Sequence, residues 1–118
     1  MKRILFLIFF LIIFSSSTAI CSGPPDSKIW SPLKNNFYYN KKIITKAPGI
    51  VLVWTYKTIT DRARAKIIED VKKYDPEKAV RYQDYDHETA LWEIDCNAKL
   101  VRTEEFIDFD KNGKVLER

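Results

Sequence analysis

The sequence predicts an α+β fold: a single antiparallel β-sheet of about five or six strands with one amphipathic helix, residues 61–74, packed against it. Three observations carry this. Short β-branched and aromatic runs recur between Pro, Gly and Asn breaks, one stretch switches to helical spacing, and the chain of 118 residues is long enough for one core only. Three tryptophans, six tyrosines and seven phenylalanines supply that core without help from metals or many disulfides.

The first segment is an export leader. Lys2 and Arg3 precede an apolar run from Ile4 to Phe14, and the small residues Ser15 to Ala19 follow it. A charged start, an apolar stretch of roughly 7 to 15 residues and a small-residue exit define a signal peptide, whereas a spanning helix needs about 20 apolar residues. Residues 1–20 are therefore expected to be removed, with cleavage after Ala19 or Ile20. Cleavage after Ala19 leaves Cys21 an ordinary thiol. The run Thr18-Ala19-Ile20-Cys21 also looks like a lipoprotein box, which would make Cys21 a lipidated first residue, although Ile20 stands where a small residue is usual. Residues 21–28, small, polar and stiffened by Pro24-Pro25, suit a tether, and residues 29–118 form the domain.

After the tether, Lys28-Ile29-Trp30, Asn36-Phe37-Tyr38-Tyr39 and Ile43-Ile44-Thr45 read as short strands. The run Ile50 to Tyr56 follows Gly49 and is apolar on both faces, which marks a central strand. From Asp61 to Tyr74 the apolar positions Ile67, Ile68, Val71 and Tyr74 fall at helical spacing, with Thr60 as cap and Asp75-Pro76 as stop. Asp84 to Glu88 reads as a polar connection. Alternation then places Ala90, Trp92, Ile94 and Cys96 on one face, so Cys96 is expected in the core beside aromatics. A long strand from Lys99 to Phe109 mixes its parity, which either a bulge or a strand covered partly on both faces explains. Asp110 to Gly113 turns the chain into a last strand, Lys114 to Glu117.

Composition excludes several functions. The chain holds 20 basic and 16 acidic residues, and the leader takes two of the basic ones, so the remainder is only mildly positive. That balance, together with export, speaks against a nucleic-acid partner. Three glycines are too few for the common phosphate-cradling loops, and one histidine nearly excludes a triad or a multi-histidine metal site. No cofactor is expected.

Four motifs invite chemistry, and each has a plainer meaning. Asp108-x-Asp110-x-Asn112-Gly113 opens like a calcium loop, but the twelfth position of that loop falls beyond Arg118, and a hairpin turn explains the glycine. Glu93 and Asp95 emerge about 6.6 Å apart on one strand face, a spacing that acid and base work on a glycoside can use, though solvent-facing strand acids are far commoner. Asp84, Asp86, His87 and Glu88 offer metal ligands, yet a lone histidine among acids is usually solvated. Lys41, Lys42, Lys46, Lys57, Arg62, Arg64 and Lys66 are candidate ligand-facing residues for a protein or an anionic polymer; a mixed face that solvates a helix is the default.

Three blocks then fall into a recognisable order. Asn36-Phe37-Tyr38-Tyr39 with Lys42-Ile43-Ile44, then Gly49 to Trp54, then Leu91 to Cys96 with Phe109 to Leu116, together resemble the surface-adhesin protein E family of bacterial envelope proteins over most of the chain after the leader. The resemblance implies a small antiparallel sheet with a packed helix, export with frequent lipid anchoring, and binding of host matrix proteins. It carries no binding residue across. The sequence departs from the pattern in its poor lipobox, its longer helix, and the lack of a further helix after Leu116 or a cysteine beyond Cys96. The expected function is a non-catalytic binding module of the cell envelope, periplasmic or at the outer surface. A periplasmic structural or assembly factor with no external ligand is the alternative. The membrane is met only through the leader or a lipid, and a homodimer stays open. An unlipidated Cys21 paired with Cys96 would close a loop worth ~4 kcal/mol in the chain-entropy model.

Overall fold

The computed structural model describes residues 24–118, so the leader and Cys21 lie outside the described residues. The fold is one antiparallel sheet of seven strands with two short helices. The strands are β1 (Trp30–Lys34), β2 (Phe37–Asn40), β3 (Ile44–Ala47), β4 (Ile50–Thr58), β5 (Tyr85–Asp95), β6 (Leu100–Asp110) and β7 (Val115–Glu117); the helices are α1 (Asp61–Lys72) and α2 (Pro76–Arg81). The order across the sheet is β1-β2-β4-β5-β6-β7, and β3 shares with β2 the same side of β4. As its doubly apolar sequence suggests, β4 is central. Among the described residues, no helix is long and apolar enough to cross a membrane.

Turns follow from a few residues. Asn36 and Lys99 take φ values of 63° and 57°, closing the β1–β2 and β5–β6 connections. The Asp95 carboxylate accepts the N–H groups of Asn97 and Ala98, both at 3.0 Å. At the last hairpin, Asp110 Oδ1 accepts from the Asn112 and Lys114 N–H groups at 2.8 and 2.9 Å, and Gly113 sits at φ 81°. With Asp110 so engaged, this segment is a side-chain-braced turn. Gly49, at φ 79°, packs against Asn97, whose amide donates to Pro48 O at 3.2 Å.

Several expectations need correction. The sheet has seven strands, more than the five or six expected. The first strand runs on through Ser31-Pro32 to Lys34; Pro32 is tolerated because β1 is an edge. The helix expected over 61–74 stops at Lys72, and Tyr74 is 73% exposed. Asp75-Pro76 is less a stop than a second start: Asp75 accepts the Lys78 N–H at 3.1 Å and Pro76 opens α2. Residues 85–88 are strand, because β5 begins at Tyr85. Finally, Cys96 lies one residue past the end of β5 and is exposed, not buried beside Trp92.

The helices cover only one end of one sheet face. Thr60 caps α1 by accepting from Ala63 N–H at 3.1 Å, and Ala63, Ile67 and Ile68 pack with Leu116 on the buried cluster of Ile59, Tyr82 and Tyr85. Tyr82, Asp108 and Glu117 lock this end, as described below. Cross-strand partners share a face, so Tyr39, Val53, Thr55, Trp92, Ile94 and Val101 lie on the helix-bearing face, beyond the helices.

Candidate functional site

The part of that face left uncovered forms an apolar groove. Leu33 of β1, Phe37 and Tyr39 of β2, Val53 and Thr55 of β4, Trp92 and Ile94 of β5 and Val101 of β6 line a cavity of about 420 Å³. Such a volume falls within the range of natural small-ligand sites. Val53 and Thr55, 9% and 7% exposed, form its floor, and Leu33, 57% exposed, stands at its rim. Ser31 pairs with Tyr39 on this face, so alternation brings Leu33 to the groove, while the bulge makes Lys34 and not Leu33 the partner of Phe37.

Its wall exposes no polar atom. Trp92 Nε1 donates to Thr55 Oγ1 at 2.8 Å, and Thr55 Oγ1 donates in turn to Ala90 O at 3.4 Å. No lining residue carries a carboxylate, an imidazole, a thiol or an amine. The groove therefore offers an apolar group a surface on which to shed its water.

A second cluster is polar and buried. Asp108 accepts from Tyr82 Oη at 2.6 Å and from Tyr85 Oη at 2.8 Å; Tyr82 Oη, with its single proton shared between two carboxylates, also lies 2.9 Å from Glu117, and Lys78 Nζ meets Glu117 at 2.8 Å. Burial first, then the hydrogen bond to Asp108, pushes both phenols well above the ordinary tyrosine range. Burial, followed by the charge of Asp108, raises Glu88, while the Lys78 hydrogen bond lowers Glu117. Every member is satisfied within the cluster. It ties helix to sheet.

The opposite sheet face carries a row of aromatic rings. Trp30 and Tyr38 approach Tyr56 at 5.3 and 6.1 Å, and His87 stacks between Tyr56 and Phe109 at 4.6 and 4.8 Å. His87 Nδ1 lies 2.6 Å from Asp86 Oδ2. Burial, then the Asp86 charge, pushes the Tyr56 phenol up to about 12. The histidine is part of a packed stack.

The structure disperses most residues that the sequence singled out. Glu93 and Asp95 do share a face, but Glu93 is held by Lys46 and, at 2.6 Å, by Arg102, and these keep its carboxyl below the usual range; Asp95 braces a turn. His87 and Glu88 point to opposite faces and Asp84 pairs with Lys111, so this set does not converge on a metal. Among the described residues no group of three or more His, Cys, Asp or Glu is placed to hold one. Of the candidate basic residues, Lys46 is taken by Glu93, Lys41 Nζ donates to Ser27 O at 2.8 Å, and Arg64 is structural: it bonds Tyr85 O, Asp61 and Ile59 O. Lys42, Lys57, Arg62 and Lys66 are exposed: Lys42 precedes β3, Lys57 lies on β4, and Arg62 and Lys66 stand about one turn apart on α1. The groove went unread because its lining comes from five strands; the only sequence signal was the parity that sets Trp92 and Ile94 side by side. The chain matches no family model, no curated protein and no solved structure.

Proposed function

We propose that this protein is an exported, non-catalytic binding module of the bacterial cell envelope, similar in role to surface-adhesin protein E, and that it receives an apolar group of its partner in the groove over β4 and β5. One observation carries the reading: a cavity of about 420 Å³ whose exposed wall is carbon throughout, although Tyr39, Thr55 and Trp92 help to line it. A partner side chain or small apolar ligand entering it meets no unpaired polar atom, so burial is uncompensated gain. The leader motif supports export, and Cys21 offers an anchor if lipidated. The test is binding of the apolar dye N-phenylnaphthylamine. Leu33→Asp at the rim and Ile94→Asp in the β5 part of the lining should each weaken it about tenfold or more, with circular dichroism unchanged. Equal binding by both variants would remove the groove from the account.

A further inference from the structure

The outer edge of β6 is only partly paired. β7 meets it at Asp108 and Phe109, so among the described residues 100–106 have β5 on one side and no strand on the other, where the Arg118 side chain reaches Glu105. Exposed apolar side chains concentrate here: Leu100 is 65% exposed, Val101 63% and Phe106 46%. An unpaired row of backbone N–H and C=O groups beside such side chains is a template for another strand.

Charge decides which strand fits. β6 carries one extra residue opposite the Leu91–Trp92 step, and this bulge sets Glu104 and Glu105 on the same face as Arg102. Within the chain Arg102 donates to Glu104 at 2.9 Å, and Arg118 donates to Glu105 at 2.9 Å. We propose that a second copy of this chain docks its own β6 here, antiparallel, about a twofold axis at Thr103. A twofold normal to the sheet keeps the faces of the two copies aligned, and the residue on the axis faces itself. With Thr103 there and the bulge carried across, Arg102 of each copy faces Glu104 and Glu105 of the other. Val101 then faces Phe106 on the opposite side of the sheet. Moving the axis to Arg102 or Glu104 sets like charge against like, which destabilises a strand pair. The edge is therefore complementary to itself in one register. Such a dimer closes because the twofold contact is isologous; of the remaining edges, β1 is blunted by Pro32 and a bulge, and β3 is only four residues long.

The experiment uses the purified protein with Cys21→Ser and Cys96→Ser, so that only introduced thiols react. Light scattering should show a concentration-dependent dimer. Thr103→Cys should cross-link to its own copy on mild oxidation, because directly opposed antiparallel residues lie about 4.5–5.5 Å apart, within disulfide reach. Ser31→Cys, on β1, should not. Arg102→Glu should weaken the dimer about tenfold, and adding Glu104→Arg should restore it, which a mere folding defect would not allow. A monomer at every concentration overturns the proposal. So does a dimer that Ser31→Cys cross-links and Thr103→Cys does not, which would place the contact at β1 or over the groove.

Discussion

Replacing Asp108 by alanine tests how the helices are held to the sheet. Asp108 is 7% exposed and is the acceptor for both Tyr82 and Tyr85. Its loss leaves the Tyr85 hydroxyl without a partner, while Tyr82 keeps Glu117 at 2.9 Å. An orphaned buried hydroxyl costs about 1–3 kcal/mol and a lost hydrogen bond to a charged group roughly 1.5–3 kcal/mol. Removing a carboxylate beside Glu88 offsets part of this, so the net expected cost is about 3 kcal/mol. Against the 5–15 kcal/mol typical of a domain, that is a large share. Urea unfolding followed by far-UV circular dichroism reads it as a lower midpoint at unchanged slope. Tyr85→Phe removes the orphan together with its donor, so the double variant Asp108→Ala, Tyr85→Phe should cost less than the sum of the singles by about 1–2 kcal/mol. Strict additivity, or a single-variant cost below about 0.5 kcal/mol, would show that the cluster does not couple helix to sheet.

Other consequences are simpler to state. Gly49→Ala should destabilise more than Gly113→Ala: both sit at positive φ, at about 1–2 kcal/mol each, but a Cβ at Gly49 also runs into the Asn97 amide while at Gly113 it meets open space. Thermal melting of the two variants gives the order, and equal melting points would contradict it. Two glutamates of one cluster should respond to pH with opposite signs. The raised Glu88 contributes stability that is present at low pH and lost as pH rises through its folded value, so Glu88→Gln should stabilise at neutral pH and gain nothing in acid. The lowered Glu117 contributes stability present above its unfolded value and lost as pH falls through the folded one, so Glu117→Gln should destabilise at neutral pH and converge on the parent in acid. Urea midpoints at pH 7 and pH 3 check both. Thr60→Ala should cost about 1 kcal/mol by uncapping α1, measured in the same way.

Much of the fold was legible where the signal is local. Gly49 followed by the β-branched run of β4, the Thr60 cap before α1, and the Asp110 to Gly113 turn all declare themselves within a few residues. What was missed depends on partners far away in the chain. Residues 85–88 look like a polar loop, yet Tyr85 is buried against Tyr82, and His87 is buried by Tyr56 and Phe109, which lie more than twenty residues away on either side. Alternation through Ala90, Trp92 and Ile94 is real, but strand pairing ends at Asp95, where the carboxylate starts a turn, so the parity does not extend to Cys96. Asp75-Pro76 carries the same residues whether a helix ends before it or begins at it, and only the Lys78 N–H bond to Asp75 decides. The groove was the least legible of all. Its floor is made where β4 and β5 pair and its rim where β1 bulges, and neither register nor bulge is written in any one segment.

The three tryptophans give the most direct test that the groove is the binding site. Trp92 lines it, whereas Trp30 and Trp54 lie on the opposite sheet face. In protein labelled with 5-fluorotryptophan, the fluorine resonance of Trp92 should shift on titration with N-phenylnaphthylamine while those of Trp30 and Trp54 stay fixed. A Trp92 resonance that stays still while Trp30 or Trp54 moves would contradict the account.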